Sequence, residues 1–192
     1  SMRPLAIVHT ENSCGWGGQE IRILTEAHGM QARGHRVTLI APPEAPIAAA
    51  GAKMGLPVVT LPIRKKRLPG LLALRRWIAT NRRAIDVVNT HSSTDSWLSA
   101  LACASLAGAP PIVRTRHISA PVPRNAFTRW LYREATRRVV TTGERLRLQV
   151  IEETGADPGH VVSIPTGIDL ERFQPGERAM ARADLGLPPG GA

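Results

Sequence analysis

Residues 3–20, which read RPLAIVHTENSCGWGGQE, decide the fold of the chain. An apolar, β-branched run ends at His9, closely spaced glycines follow, and apolar residues then recur at helical spacing. This order predicts a buried strand over residues 3–9, a glycine-rich turn and a helix over residues 18–33. Gly34 is expected to end the helix, because glycine readily adopts the left-handed conformation found just after helices.

The same alternation of strand-like and helix-like segments runs almost to the end of the chain. Alternation of this kind is typical of a parallel sheet covered by helices on both faces, so we expect an α/β fold of the Rossmann-like type. Further strands are predicted over residues 37–41, 58–61, 86–90, 111–115, 138–142 and 161–164. Further helices are predicted over residues 47–53, 69–83, 93–106 and 125–137, and over a segment ending at Glu153. The apolar face of helix 69–83 is predicted to carry Leu71, Leu72, Leu74 and Ile78.

The length of 192 residues, 43% of them hydrophobic, is enough for one substantial core. We expect one domain over residues 1–175 and the start of an interdomain linker over residues 176–192, which end in a proline- and glycine-rich run. Cys14 and Cys103 match no paired-ligand spacing, so neither a disulfide framework nor a zinc site is predicted. The sequence has no apolar run as long as a membrane span and no signal-peptide pattern. These features favour a cytoplasmic protein.

The net charge of +10 is concentrated in two stretches. Residues 62–85 hold eight lysines and arginines and no acid, and residues 114–147 hold nine arginines and two acids. Concentrated positive charge favours an anionic partner, which could be a membrane surface, a phosphorylated substrate or nucleic acid. A solvated basic face without a partner is the alternative. Nucleic acid is not expected, because the sequence has no recognised nucleic-acid-binding motif and no stacking platform.

The glycine-rich turn after the first predicted strand is the first candidate binding element. Gly17 and Gly18 at the start of a helix would let the backbone approach a phosphate or a sugar hydroxyl closely. A nicotinamide cofactor is disfavoured, because Glu20 stands where a dinucleotide-binding motif has its third glycine. The second strand also ends in Ala-Pro-Pro, at residues 41–43, instead of the acid that binds a ribose. A tight turn without a ligand is the alternative for the two glycines.

Two histidines that follow neighbouring predicted strands are the next candidates. His91 and His117 come after the fourth and fifth strands, at the edge of a parallel sheet where ligands bind. An imidazole at this edge can donate to a sugar hydroxyl or to a phosphate. For either histidine, a structural role with satisfied hydrogen bonds is the alternative. His9, inside or at the end of the first strand, is expected to be structural.

A turn motif near the end of the chain carries a resemblance to a known family. Residues 161–173 read VVSIPTGIDLERF and resemble the segment between the two Rossmann-like domains of retaining GT-B glycosyltransferases of family 4. That segment usually contains Ile-Pro-Asn-Gly, and Thr166 stands here in place of the asparagine. Motifs in matching order extend the resemblance over nearly the whole chain: Gly-Gly-x-Glu at 17–20, Gly-His-x-Val at 34–37, Asp-Val-Val-x-x-His at 86–91 and Thr-x-His at 115–117.

The resemblance implies that the chain is the N-terminal, acceptor-side domain of such an enzyme, with the donor-binding domain beyond residue 192. The enzyme would transfer a sugar from a nucleotide-sugar donor to a saccharide or lipid-linked acceptor, as in the synthesis of cell-envelope polysaccharides. The 192-residue chain alone would be inactive, because both domains must hold the reacting groups together. The family normally needs no metal or other cofactor. A non-catalytic sugar- or nucleotide-binding module of the same fold is the alternative.

The resemblance also implies roles for individual residues. His117 matches the family position near the transferred sugar and is the candidate catalytic residue. His91 would line the acceptor pocket, and Gly17 and Gly18 would approach the donor phosphates or the acceptor. Further candidates for donor or acceptor binding are Asn12, Arg116 and Thr142.

The two basic stretches suggest a membrane contact in an enzyme of this kind. Several members of the family act on lipid-linked acceptors and touch anionic membranes, so we expect a peripheral protein at the inner face of the plasma membrane. The contact residues would be Arg64, Lys65, Lys66, Arg67, Arg129, Trp130 and Arg133. The alternative is that Phe127, Trp130 and Leu131 are core residues and the arginines are merely solvated.

Overall fold

The computed structural model describes residues 3–165, which form two compact units. Residues 4–112 make up the first unit, and residues 113–165 together with Arg3 make up the second. Within each unit the paired strands run parallel and are connected by helices. The predicted fold class is confirmed: the chain has a Rossmann-like α/β fold with helices flanking parallel strands.

The first unit holds four parallel strands in the order β3-β2-β1-β4. Its strands are β1 Ala6–Thr10, β2 Arg36–Ala41, β3 Val58–Thr60 and β4 Val87–Thr90. Its helices are α1 Gly18–Ala32, α2 Pro46–Lys53, α3 Leu68–Asn81 and α4 Ser93–Ala104, with a 3₁₀ turn at Arg82–Ala84. Val8 of β1 lies opposite Thr38 of β2 and Val88 of β4. The carboxyl ends of β1 and β4 therefore lie side by side.

Apolar side chains from α1, α2 and β2 form the core of the first unit. Its fully or almost fully buried members include Ile23, Leu24, Val37, Leu39 and Ile47. Helix α1 ends as predicted, because Gly34 adopts a φ of +89° just beyond it. The predicted glycine stop is confirmed.

Helix α3 packs through a narrower stripe than the sequence predicted. Leu74 and Ile78 are buried, together with Gly70 at the same four-residue spacing. A Cβ at Gly70 would collide with the carbonyl oxygen of Pro62, so the helix lies directly against the preceding loop. The predicted burial of Leu72 is wrong, because its side chain points away from this stripe and is exposed.

The second unit holds three parallel strands in the order β5-β6-β7. These strands are β5 Ile112–Arg116, β6 Arg138–Thr141 and β7 Val161–Ser163. Its helices are α5 Ala126–Trp130, a π-helical turn at Leu131–Ala135, α6 Glu144–Thr154 and a 3₁₀ turn at Pro158–His160. Strand β5 extends one residue beyond its predicted end, so Arg116 lies inside the strand and not in the loop after it.

The helix predicted over residues 125–137 is replaced by a short α-helix that continues as a π-helical turn. Asn125 caps its start, with its side-chain oxygen accepting from the amide of Thr128 at 2.8 Å. At its end the Thr136 hydroxyl donates to the Leu131 carbonyl at 2.6 Å, and Thr136 itself is extended. A side-chain bond back to the chain thus ends the helix, as short hydroxylated residues often do. The linker predicted at residues 176–192 and the motif from Thr166 onward lie outside the described residues.

Candidate active site

The carboxyl ends of β1 and β4 hold a group of buried polar side chains. His9 and Thr10 close β1, Glu11 follows it, and all three are buried. Buried polar groups in folded proteins are almost always hydrogen-bonded, so the partners of these residues determine the shape of the surrounding loops. Those partners lie in the loop after β1, in the first turn of α1, and in the segment from the end of β4 to the first turn of α4.

His9 forms a pair with His91, the residue that follows β4. His9 Nδ1 and His91 Nε2 lie 2.8 Å apart, and the rings are stacked with their centroids 5.1 Å apart. Burial lowers the pKa of His9 to about 4, so its ring is neutral at pH 7. One of the two facing nitrogens carries a proton and donates a hydrogen bond to the other. The ring of His91 is therefore buried and oriented by its neighbour.

Asp95, buried in the first turn of α4, connects the two strand ends. Its carboxylate accepts from the Thr10 hydroxyl at 2.5 Å, the His91 amide at 3.0 Å and the Ser92 amide at 2.8 Å. Ser92 and Asp95 form a capping box that begins the helix. The amide of Asp95 donates to Asn12 Oδ1 at 3.0 Å, which attaches the loop after β1 to the start of α4.

The Glu11 carboxylate holds the glycine-rich loop, residues 12–17, which connects β1 to α1. The carboxylate accepts from the Ser13 amide at 3.0 Å and from the Gln19 side-chain amide at 2.5 Å. The same Gln19 nitrogen lies 2.8 Å from the Ser92 hydroxyl oxygen. A single buried carboxylate therefore fixes both the beginning of the loop and the first turn of α1.

The glycines at the start of α1 are not explained by packing within the protein. Gly17 precedes the helix and Gly18 is its first residue. A Cβ at Gly18 would meet no heavy atom within 4 Å, and one at Gly17 would meet only Glu20 Oε2 at 3.8 Å. Beside them the Trp16 side chain is 53% exposed, whereas Glu20 is only 6% exposed. The amino end of α1 is thus left open, which suits the close approach of a ligand.

Two buried arginines lie near the carboxyl end of β5 in the second unit. Arg114 is 4% exposed, and its guanidinium lies 5.6 Å from the ring centroid of Tyr132. Arg116 is 8% exposed and donates to the Tyr132 hydroxyl at 3.3 Å and to the Ala120 carbonyl. His117 follows directly and is half-buried. This strand end therefore combines two cations, a phenol and an imidazole.

A sequence model named Glycosyltransferase Family 4 matches residues 16–172, which include every loop just described except the beginning of the glycine-rich loop. The chain belongs to glycosyltransferase family 4.

Curated relatives of this family-4 chain are similar over little more than half of it. A D-inositol 3-phosphate glycosyltransferase of Nocardia farcinica is 37% identical over 115 residues, which cover 59% of this chain and 23% of that protein. A protein of the same name from Mycobacterium bovis is 36% identical over 58% of this chain and 21% of its own length. The similar region thus spans less than a quarter of these relatives.

Solved structures show the same fold over almost the whole family-4 chain. A glycosyltransferase of Rickettsia africae superposes with a TM-score of 0.74 at 19% identity, covering 97% of this chain and 51% of that one. Anabaena Alr3699/HepE, solved in complex with UDP-glucose, has a TM-score of 0.65 at 16% identity, covering 95% and 50%. The chain therefore has the fold of one half of such a glycosyltransferase.

The residues predicted from the resemblance to family 4 are divided between the two units. In the first unit, Asn12 and His91 are both hydrogen-bonded to Asp95, and Gly17 and Gly18 directly precede Gln19, whose side chain donates to Glu11. The second unit contains Arg116, His117 and Thr142, the last half-buried just after β6. Asn12 uses its side-chain oxygen to hold α4, a structural contact that the sequence did not predict.

Several residues of the candidate site were not predicted from the sequence. Thr10, Glu11 and Asp95 form the buried centre of the first unit's network, and Arg114 accompanies Arg116 in the second. One signal for Asp95 was available: Ser92-Ser93-Thr94-Asp95 is a capping-box pattern at the start of an apolar helix. For Thr10 and Arg114 the sequence contained no comparable signal, because their burial depends on contacts with segments that are distant in the sequence.

The predicted membrane-contact residues lie on the surface of this family-4 chain. Arg64, Lys65, Lys66 and Arg67 in the first unit are exposed, and Arg129 and Arg133 in the second are exposed as well. Phe127 is 55% exposed, and its ring lies 5.9 Å from that of the half-buried Trp130. Leu131 is buried, so only this last member of the predicted core trio is a core residue.

Among residues 3–165, no group of three or more histidines, cysteines, aspartates or glutamates has the arrangement needed to hold a metal ion. In the same range, no helix has the length and hydrophobicity required to cross a membrane.

Proposed function

We propose that this chain is the acceptor-side domain of a retaining glycosyltransferase that transfers a sugar from a nucleotide-sugar donor to a saccharide or lipid-linked acceptor. Its membership of family 4 supports this proposal, and so does its fold, which matches about half the length of the Rickettsia africae glycosyltransferase. The observation that carries it is the open amino end of α1, where glycine has no packing reason of its own. A nucleotide-sugar donor is further supported by the fold neighbour that was solved with UDP-glucose.

The open end of α1 supplies the chemistry that a sugar needs. Amide groups of the first turn can donate to a hydroxyl oxygen, and the carboxylate of Glu20 beside Gly17 can accept from a hydroxyl. The exposed Trp16 indole offers an apolar face of the kind that packs against a sugar ring. Gln19 and Asn12 are already engaged with the protein, so they position the loop.

His117 is the proposed catalytic residue, beside the transferred sugar. In the full-length protein, His117→Ala should abolish most transfer from a panel of UDP-, GDP- and ADP-sugars, with UDP-glucose the first donor to try. His28→Ala, which removes an exposed histidine from α1, is the matched control and should keep wild-type turnover. Equal activity of the two variants would contradict the role of His117. Retention would appear as a product with the anomeric configuration of the donor.

The 192-residue chain alone should transfer no sugar. Transfer requires the donor's anomeric carbon and the acceptor hydroxyl to be held together, and the donor-binding half of the proposed enzyme lies outside this chain. Sugar transfer by the purified 192-residue chain would overturn this part of the proposal. Donor binding by the full-length protein without any transfer or hydrolysis would favour a non-catalytic binding module instead.

The proposed transfer needs no metal ion or other cofactor. Cationic side chains and helix amino ends of the donor-binding half would neutralise the leaving nucleotide diphosphate. Turnover of the full-length protein should therefore persist in excess EDTA. Loss of turnover in EDTA, restored by a divalent cation, would contradict this point.

We further propose that the second unit meets an anionic membrane surface from the cytoplasmic side. The exposed Phe127 and half-buried Trp130 provide apolar contact area, and Arg124, Arg129 and Arg133 surround them with positive charge. Such a contact suits an enzyme whose acceptor is lipid-linked and belongs to cell-envelope polysaccharide synthesis. In the first unit, Arg64 is within 3.9 Å of Glu44 and Lys66 lies over the ring of Trp97, so that basic run is partly engaged within the protein.

A further inference from the structure

The second unit contains two buried positive charges without a negative partner. Arg114 and Arg116 form no ion pair with any aspartate or glutamate among residues 3–165, and the Nε of each is buried without a hydrogen-bond partner in that range. Burying a guanidinium is unfavourable unless an opposite charge or a full set of acceptors compensates it. Among residues 3–165, neither arginine therefore has the opposite charge that normally accompanies a buried cation.

The two guanidinium groups also lie on the same face of β5. Alternate residues of a strand project to the same face, so Arg114 and Arg116 extend from β5 in the same direction. Both contact Tyr132: one lies over its ring and the other donates to its hydroxyl. Tyr132 is held in turn, because the Nε2 of His160 lies 2.7 Å from its backbone carbonyl oxygen. The arginines are thus fixed as a pair with unused donors.

Arg116 lies next to an exposed loop. Arg116 is the last residue of β5, and the loop that follows it is exposed at Ile118, Ser119 and Ala120. Its contact with that loop is the neutral carbonyl of Ala120. An oxyanion could replace this carbonyl and neutralise the charge at the same time. Charge-assisted bonds from arginine to an oxyanion are markedly stronger than bonds to a neutral acceptor.

We propose that Arg114, Arg116 and the Tyr132 hydroxyl form a binding site for a phosphate group at the carboxyl end of β5. The site lies next to His117. Resting on the proposed function, it implies that one substrate brings a phosphate group to the carboxyl end of β5. The phosphate belongs either to a phosphorylated acceptor or to the nucleoside diphosphate of the donor, which share this chemistry.

The test is the thermal stability of the 192-residue chain in sodium phosphate and in sodium chloride of the same ionic strength. A ligand that binds only the folded state raises its stability with the logarithm of ligand concentration. We expect phosphate to raise Tm by roughly 5–10 °C once it exceeds its dissociation constant about 100-fold, and chloride to have no such effect. No difference between the salts would overturn the site.

Variants separate the site from general charge effects. Arg116→Gln should lose the phosphate-dependent rise, and Arg116→Lys, which keeps the charge without the planar fork, should retain only part of it. Arg124→Gln removes the same charge from the surface, where the side chain is exposed, and should behave like the wild type. A full rise in Arg116→Gln would overturn the proposal, even if Arg114→Gln fails to fold.

Two further ligands identify the source of the phosphate. A hexose phosphate that raises Tm more than UDP at equal concentration assigns the site to the acceptor, and the reverse order assigns it to the donor. Either order supports a phosphate site, and no rise with either ligand counts against it. Because the readout is stability, it does not depend on sugar transfer. An active full-length transferase whose 192-residue chain ignores phosphate would overturn this inference and leave the proposed function intact.

Discussion

His9 Nδ1 lies 2.8 Å from His91 Nε2, so two histidines that are 82 positions apart in the sequence meet as a buried, stacked pair. The pair lies where β1 and β4 end, next to Asp95. Its protonation should affect the folding of the whole first unit.

The stability of the chain should fall in mild acid because of His9. Burial lowers its pKa from 6.5 to about 4, so between these values the unfolded chain binds a proton that the folded chain does not. The contribution is fully present above pH 6.5 and is lost as the pH falls toward about 4, by up to about 1 kcal/mol per pH unit. Urea unfolding at a series of pH values measures this slope.

Two variants identify the residue responsible for the slope. His9→Asn removes the titrating ring and should flatten the pH dependence between 4 and 6.5, although it lowers overall stability. His28→Asn changes an exposed histidine of α1 and should keep the wild-type slope. An unchanged slope in His9→Asn would show that another group controls acid unfolding.

Replacing Asp95 by alanine should destabilise the chain by about 3 kcal/mol or more, because three buried or partly buried donors lose their acceptor at once. The free energy of urea unfolding measures this loss. Ser93→Ala, an exposed change in the same helical turn, is the control and should stay within about 0.5 kcal/mol of the wild type. A loss below about 1 kcal/mol for Asp95→Ala would mean that the capping network is dispensable.

The two glycines Gly18 and Gly70 should respond to alanine in opposite ways. Gly70→Ala should cost about 1–3 kcal/mol of stability, because its Cβ would collide with the Pro62 carbonyl. Gly18→Ala has free space, so it should leave stability within about 1 kcal/mol of the wild type. In the full-length protein, however, Gly18→Ala should reduce transfer roughly 10-fold or more by blocking the open end of α1. Wild-type kinetics in Gly18→Ala would argue against a ligand at this position.

Binding to liposomes should depend on both charge and aromatic contact. The full-length protein should cosediment with vesicles containing anionic lipid and much less with neutral ones, since basic side chains surround Phe127 and Trp130. Phe127→Ala should weaken this binding, whereas Leu148→Ala removes an equally exposed apolar residue from α6 and serves as the control. Equal cosedimentation with anionic and neutral vesicles would contradict the proposed membrane contact.

The sequence predicted the strands and helices well, because each depends on local patterns. Helix α1 begins at Gly18 as expected, and Gly34 ends the C-terminal turn after it. The helix after residue 125 was the exception: it is an α-helix only to Trp130, continues as a π-helical turn to Ala135, and ends where the Thr136 hydroxyl donates to the Leu131 carbonyl. Periodicity cannot distinguish a threonine whose hydroxyl bonds back to the main chain from a threonine that is exposed.

The candidate site was predictable only in part. Glycines and histidines after strands could be selected from sequence because their position alone suggests ligand binding. The partners that hold them could not: Thr10 and Asp95 meet across 85 positions, and only the pairing of β1 with β4 brings them together. Arg114 was missed for a different reason, since arginine is almost never expected inside a protein without a paired acid.

The hydrogen bonds that the Asp95 amide donates to Asn12 and that Gln19 donates to Ser92 join the two loops at this edge. Neither loop can shift without releasing the first turn of α4. A ligand at the glycine-rich loop that changed the affinity of the β4 loop for a second ligand would therefore have its own affinity changed by the second ligand by the same factor.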